Sequence, residues 1–256
     1  MAHFFLDEAL TAGESQPGAI VSVRGAEAKH AVTVSRIRPG ERLLLGNGAG
    51  LMLAGTVTTA AAGELSLEVA EATIAEPPAP RIHLVQALAK GDRDELAIQA
   101  ATELGVDGVI PWTAARSVSR WEGAKVQKGR ERWSSIVREA TKQSIRPWLP
   151  EVGELASTKM LATLARTTRM LLLEPTADIR LAELEFSSHA AATGDGAGDP
   201  PDILLVVGPE GGIAPSELDI LQTAGATAVR LGTTVLRTST AGPAALVILN
   251  QALGRW

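Results

Sequence analysis

Ile203-Leu-Leu-Val-Val-Gly-Pro-Glu-Gly-Gly-Ile213, and after it Arg230-Leu-Gly-Thr-Thr-Val-Leu-Arg-Thr-Ser-Thr-Ala241, are the stretches on which the fold turns. The unbroken apolar run Ile203–Val207 predicts a strand buried on both faces, as in a parallel sheet. It stops at Gly208-Pro209-Glu210-Gly211-Gly212, where three glycines allow positive φ and the close approach of another group. Pro215 suits the first turn of a helix, Glu217 sits in that turn, and Gly225 marks its end. The second stretch repeats the pattern: a short strand Ala228–Leu231, Gly232, a loop, then a helix. That helix carries Ala241, Ala244, Ala245, Ile248, Leu249 and Ala252 on one face. Glycine-bearing loops at the carboxyl ends of neighbouring strands are where open α/β sheets bind ligands. Spacing alone is equally compatible with a plain tight turn. No Gly-Lys-Ser/Thr follows and no GxGxxG is present, so neither a Walker cradle nor a dinucleotide fingerprint is read here.

Outward from these loops, strands alternate with helices from Arg81 onward, which predicts a parallel sheet. Ile82–Leu88 is a strand ending in Lys90-Gly91-Asp92, with Asp92 as the expected N-cap of a helix burying Ala97, Ala100, Ala101 and Leu104. Val106–Ile110 and Met170–Leu173 are further strands, the latter closing in Glu174-Pro175. A basic helix from Lys125 to about Ser144 has Trp133, Ile136, Val137 and Ala140 as its apolar stripe. Ser187–Pro201, rich in Ala, Gly, Ser and Asp, is expected to be a flexible insert. Upstream, Glu76-Pro-Pro-Ala-Pro80 reads as a stiff linker and sets a boundary between residues 1–75 and 76–256. The first part is small-β, with strands at Ala19–Val23, Glu41–Leu45, Leu51–Val57 and Leu65–Val69, a turn at Asn47-Gly48, and a helix over Ala26–Arg38.

The 256 residues are 45% hydrophobic, enough for a sizeable core, and no apolar run reaches the length of a membrane span. The N-terminus has acids where a signal peptide needs basic residues, so a soluble cytoplasmic protein is expected. Cysteine is absent and the four histidines form no ligand pair, so no metal site is expected. The net charge of −5 conceals two basic islands: nine Lys/Arg against three Glu between Arg116 and Arg146, and five against two between Arg24 and Arg42. They are either RNA-facing surfaces or solvated helix faces. Trp112, Trp121, Trp133 and Trp148 lie in or beside the larger island. Trp133 is on the apolar stripe, which leaves Trp121 and Trp148 as candidates for stacking on unpaired bases.

Gly208-Pro-Glu-Gly-Gly212, with Leu231-Gly232 and Leu236-Arg237-Thr238 about twenty residues later, resembles the C-terminal signature of RsmE-type 16S rRNA uridine-N3 methyltransferases. Glu27–Glu41, Leu88–Asp92, Thr102–Val106 and Glu139–Arg146 resemble other blocks of that family. The resemblance implies an α/β chain: a C-terminal SPOUT domain, its parallel sheet tied in a trefoil knot, joined to a small N-terminal PUA-like β-barrel that binds RNA. It also implies S-adenosyl-L-methionine as cofactor, held by Leu173, Glu174, Gly208, Pro209, Glu210, Gly211, Gly212, Leu231, Gly232, Val235, Leu236, Arg237 and Thr238. A helix N-terminus offers the cofactor's carboxylate only ~0.3–1 kcal/mol, against roughly 4 kcal/mol for burying ~150 Å² of adenosine. The glycines are therefore expected to act chiefly by opening a slot for the ring.

Methylation at N3 requires loss of a proton, by a general base or with cations stabilising the uracil anion. Arg146 and Arg237 are the candidate cations and Glu210 the weaker candidate base, its other role being to orient the cofactor. Lys29, His30, Arg36, Arg38, Lys90, Arg116, Arg138 and Lys142 are the candidate RNA contacts. The implied partners are 16S rRNA of the small ribosomal subunit and a second copy of the chain, the active site lying at the subunit interface. The alternatives are a SPOUT enzyme methylating a ribose 2′-oxygen and a non-catalytic RNA-binding or ribosome-assembly factor.

Overall fold

The computed structural model describes residues 3–61, 63–186 and 200–256, which form two compact units. The first runs to Pro77 and includes Thr141–Leu149; the second is Pro78–Ala140 with Pro150–Trp256. The Ser187–Pro201 insert lies, through residue 199, outside the described residues.

In the first unit, β1 (His3–Leu6), β2 (Ile20–Arg24), β3 (Arg42–Gly46), β4 (Leu51–Ala61) and β5 (Glu64–Ile74) form one sheet in the order β1-β3-β4-β5-β2. Alternation of buried and exposed residues along β2 turns Val21 and Val23 onto a core with Leu43, Leu45, Leu53, Leu65 and Leu67. β1, too short to be read from the sequence, pairs parallel with β3; the other pairs are antiparallel. At the β3–β4 turn Asn47 Oδ1 accepts from the backbone N–H of Ala49 (2.8 Å) and Leu51 (3.0 Å). The helix expected over Ala26–Arg38 is shorter and changes character. α1 (Gly25–Lys29) widens into a π-turn at His30–Val34, and Arg36 then takes φ 56°.

Thr141–Leu149 is fixed within this unit by polar contacts. The Lys142 ammonium, 8% exposed, pairs with Glu27 Oε1 at 3.1 Å, and that oxygen also accepts from the Leu6 N–H. Trp148 donates its indole N–H to the carbonyls of Ala75 and Glu76, and its ring rests where a Cβ on Gly50 would sit 2.9 Å away. Trp148 is thus a packing residue rather than a free stacking platform.

In the second unit, β6 (Ile82–Ala87), β7 (Gly108–Trp112), β8 (Glu151–Val152), β9 (Arg169–Leu173), β10 (Ile203–Val207) and β11 (Thr227–Val229) form a parallel sheet, ordered β11-β9-β10-β6-β7-β8. All five residues of β10 are buried, as its apolar run demands. Around the sheet lie α2 (Arg93–Glu103), α3 (Ala124–Gln143, whose last turn groups with the first unit), α4 (Thr158–Leu164), α5 (Pro215–Thr223) and α6 (Thr238–Ala252). The buried face of α6 is Gly242, Ala245, Leu246, Leu249 and Asn250, rotated from the alanine face read in the sequence. Gly242 sets that rotation, because the helix lies so close to the sheet that a Cβ there would be 2.8 Å from Leu84 Cδ1.

Asp92 stands at the N-cap of α2 but takes φ 58° and makes no side-chain cap. Asp94 organises the turn instead, accepting from the N–H of Ala89 (3.2 Å) and Glu95 (2.9 Å). Burial raises its carboxyl above the ordinary range, against those backbone bonds.

Candidate active site

Three loops meet at the carboxyl edge of β9, β10 and β11: Leu173–Pro175, Gly208–Ile213 and Arg230–Arg237. With Arg93 and the first turn of α6 they enclose a cleft of about 400 Å³, within the size range of small-molecule sites. Val207, Ile213, Val229, Leu231 and Leu236 give it apolar walls. Every residue assigned to the cofactor from the sequence lines this cleft except Gly211. The Gly211 carbonyl is turned to Arg116, accepting from Nη1 at 2.9 Å.

The glycines act differently from the expected slot. A Cβ on Gly208 would lie 2.8 Å from Ile213 Cγ1 and 3.0 Å from its backbone N, and Gly212 has φ 72°. The turn itself therefore demands both. Gly232 is the open one: a Cβ there would meet nothing within 4 Å, leaving room beside the cleft wall. The space for a planar ring comes from the separation of the two loops.

That separation is held by side chains. Thr238, buried at the start of α6, donates its hydroxyl to the Gly208 carbonyl (2.8 Å) and accepts from Gln86 Nε2 (2.8 Å). Glu210 Oε1 accepts from the Lys90 N–H (3.0 Å) and from Arg93 Nη1 (2.9 Å). Burial pushes the Glu210 carboxyl up, but the backbone N–H groups of Glu210 and Lys90 and the Arg93 guanidinium outweigh it and hold it below the usual range. A carboxylate so engaged is a poor proton acceptor, so the structure speaks against the base role read for Glu210 and gives it the joining of two loops. Arg230 Nη1 donates to the carbonyls of Ala177 and Asp178. Among the cleft cations Arg237 differs: it is exposed, and no ion pair is seen for it among the described residues.

Glu217, noted in the sequence only as a helix-start acid, is 5% exposed and a hub. Its Oε1 accepts from the Ala115 N–H (2.9 Å) and the Thr158 hydroxyl (2.7 Å), and Oε2 from the Ala214 N–H (3.3 Å). It thereby ties the loop carrying Arg116 to the loop carrying Gly211. Arg93, Arg230, Glu217 and Gln86 were missed by sequence reasoning. The readable signal for Gln86 was a polar side chain in the middle of the strand Ile82–Leu88, whose only other one is His83.

The candidate RNA contacts separate into two kinds. Lys29, Arg36, Arg38, Lys90 and Arg116 are exposed, while His30 and Arg138 are half-buried. Lys142 is corrected: buried and neutralised by Glu27, its ammonium has no phosphate to meet. Elsewhere on α3, Arg130 pairs with Glu154 and Arg132 with Glu95, so part of the basic island is internal wiring. Trp121 packs on Gly129 and meets the Trp133 ring edge-on at 5.3 Å. Arg146 is half-buried in the segment grouped with the first unit.

Comparison with known proteins gives consistent matches. The family described as RNA methyltransferase domain matches residues 75–250, and that described as RNA methyltransferase PUA domain matches residues 23–69. The chain is 45% identical over 244 residues to ribosomal RNA small subunit methyltransferase E of Mycobacterium bovis, covering 93% of this chain and 89% of the relative. The Bacillus subtilis protein of the same name is 30% identical over 94% of this chain and 93% of its own length. Among solved structures, ribosomal RNA small subunit methyltransferase E from Neisseria gonorrhoeae, bound to S-adenosyl methionine, superposes with TM-score 0.80 at 25% identity over 98% of each chain. A Legionella pneumophila structure in complex with the bound cofactor SAM gives TM-score 0.81, also at 25% identity and 98% of each chain.

Proposed function

This chain belongs to the ribosomal RNA small subunit methyltransferase E family, and from that premise we propose that it transfers a methyl group from S-adenosylmethionine to N3 of a uridine in 16S rRNA of the small ribosomal subunit. The observation carrying the proposal is the apolar-walled cleft between the loops Gly208–Ile213 and Arg230–Arg237. Its volume suits a nucleoside joined to an amino acid, and its apolar walls suit the adenosine part. The open space beside Gly232 adds room for a flat ring. Leu173, Val207, Ile213 and Leu236 would take the adenosine surface out of water, and the N-terminal turn of α6 would face polar atoms of the same molecule.

Bound in that cleft, the cofactor supplies a methyl group activated by its positive sulfur. What remains for the protein is position and charge. The uracil must lose its N3 proton before or as the new bond forms, and with no carboxylate among the described residues free to take it in the cleft we assign its acceptance to solvent water. With Glu210 committed to Arg93, we assign stabilisation of the resulting anion to the exposed guanidinium of Arg237. Exposed Lys29, Arg36 and Arg38 on the PUA-like unit would neutralise RNA phosphates.

The proposal includes a homodimer that completes the substrate site. It is supported by apolar side chains left in water near the cleft, Val235 at 78% and Leu236 at 36% exposure. It also includes the trefoil threading: after edge strand β11, the chain returns to the middle of the sheet, where Thr238 meets Gln86 of β6. A ribosomal substrate makes the cytoplasm its place of action.

Mass spectrometry of small-subunit rRNA from a deletion strain tests the function. Loss of one base methylation, restored by the parent gene and not by the Arg237→Ala variant, is the expected result. A missing ribose mark would replace the proposal with 2′-O-methylation, and an unchanged spectrum would reduce the chain to a binding factor.

A further inference from the structure

Gln86 stands in the middle of the parallel sheet, on β6, fully buried and outside the lining of the cleft. Its amide has two donors and both are used: one to the Ala87 carbonyl (3.1 Å), the other to Thr238 Oγ1 (2.8 Å). The flipped amide would set its oxygen against the Ala87 carbonyl, so the direction of these bonds is fixed. Thr238, accepting from Gln86, has a single hydroxyl proton left, and it goes to the Gly208 carbonyl (2.8 Å). The result is a one-way chain, Gln86 N–H to Thr238 O–H to Gly208 C=O, in which each bond polarises the next. Gln86 Oε1 is buried and has no partner among the described residues. An apolar side chain of the same length would fill the site without that cost, so what the amide adds is the two donated bonds.

Two of the three members of this hydrogen-bonded chain, Thr238 and Gly208, stand on the two walls of the cleft. Gly208 begins the first loop and Thr238 ends the second, thirty residues later. Neither loop has a regular backbone ladder to the other; the fixed point they share is a strand made more than a hundred residues earlier.

We propose that Gln86 is a positioning residue for the cofactor cleft, holding the Gly208 loop and the start of α6 at the separation that admits S-adenosylmethionine. This rests on the functional reading above. Its tests are cofactor binding measured by calorimetry and backbone hydrogen exchange measured without cofactor, so turnover is not needed as a readout. Gln86→Met keeps length and burial and removes both donors. It should weaken cofactor binding roughly tenfold, the scale of losing one well-made buried hydrogen bond. Exchange at residues 210–213 should quicken, while affinity for a 16S rRNA fragment stays at the parent value. Because the bonds are in series, adding Gln86→Met to Thr238→Val should cost nothing beyond Thr238→Val alone.

Parent-like cofactor affinity in Gln86→Met, or losses that multiply in the double variant, would overturn the proposal while leaving the methyltransferase reading in place. A parent protein that binds no cofactor would overturn both. Should thermal melting show Gln86→Met unfolded, Gln86→Glu carries the test. Burial keeps its carboxyl neutral near pH 7, so one O–H replaces the donor to Thr238: cofactor affinity and exchange at residues 210–213 should stay near the parent values, and a loss as large as that expected of Gln86→Met would refute the relay.

Discussion

Glu217→Ala is the most demanding perturbation of the site's frame. The carboxylate is 5% exposed and receives three hydrogen bonds, from Ala115 N–H, Thr158 O–H and Ala214 N–H. Bonds to a charged acceptor contribute about 1.5–3 kcal/mol each, but the three are unequal. Ala115 is exposed, so its N–H regains water when the carboxylate goes. The Ala214 bond is long at 3.3 Å. The Thr158 hydroxyl, which also accepts from the Trp112 indole, loses its best partner at 2.7 Å. Removing a buried charge returns some desolvation energy. The net loss should be about 3 kcal/mol, which for a chain of this size lowers the melting temperature by roughly 6–12 °C. Urea denaturation with an unchanged m-value measures it, and hydrogen exchange at residues 115 and 214 locates it. Glu217→Gln, which keeps Oε1 in place and sets an amide against the Ala214 N–H, should lose less, about 1–2 kcal/mol. A Glu217→Ala variant within about 1 kcal/mol of the parent would show that the loops hold their places without this hub, and the reasoning would be wrong.

Other consequences are open to simpler measurements. Burial lowers the pKa of His83 from 6.5, with Asp202 opposing and Arg81 assisting. The unfolded chain then binds the extra proton first, so stability is complete above about pH 6.5 and falls as the pH drops toward the folded value. A urea midpoint that declines between about pH 7.5 and about pH 5.5 in the parent, and less in His83→Asn, is expected. Lys142→Ala removes the counter-ion of Glu27, which is only partly buried and keeps its bond from the Leu6 N–H, and should cost about 1–3 kcal/mol of the first unit's stability, seen in melts, with no change in the salt slope of RNA binding. Replacing Lys29, Arg36 and Arg38 together should do the opposite, reducing that slope by roughly one unit for each phosphate no longer neutralised while melting is unaffected.

The parallel sheet and its ligand edge were legible because both signals are local: a five-residue apolar run buried on two faces, and glycines at its end. The pairing of β1 with β3 was not, since four residues carry too little periodicity and the pairing is non-local. The face of α6 was misjudged because alanine pattern ranks side chains by hydrophobicity, whereas the helix is seated by the absence of one at Gly242. Lys142 looked like a surface cation because charge runs do not reveal partners; its counter-ion Glu27 lies far away in the chain. The same distance hid the bonds of Glu210 to Arg93 and of Gln86 to Thr238.

The cleft's two walls belong to late parts of the chain, yet they are referenced to an early strand. During synthesis β6 emerges long before Gly208 and Thr238 exist to meet it. A chain stopped anywhere between β10 and α6 therefore has one wall, no closing helix, and an amide in β6 with no hydroxyl to receive its proton. Fragments of that kind would neither sequester cofactor nor compete with whole protein for ribosomal substrate through this site, and α6 is the helix that turns a folded sheet into an enzyme.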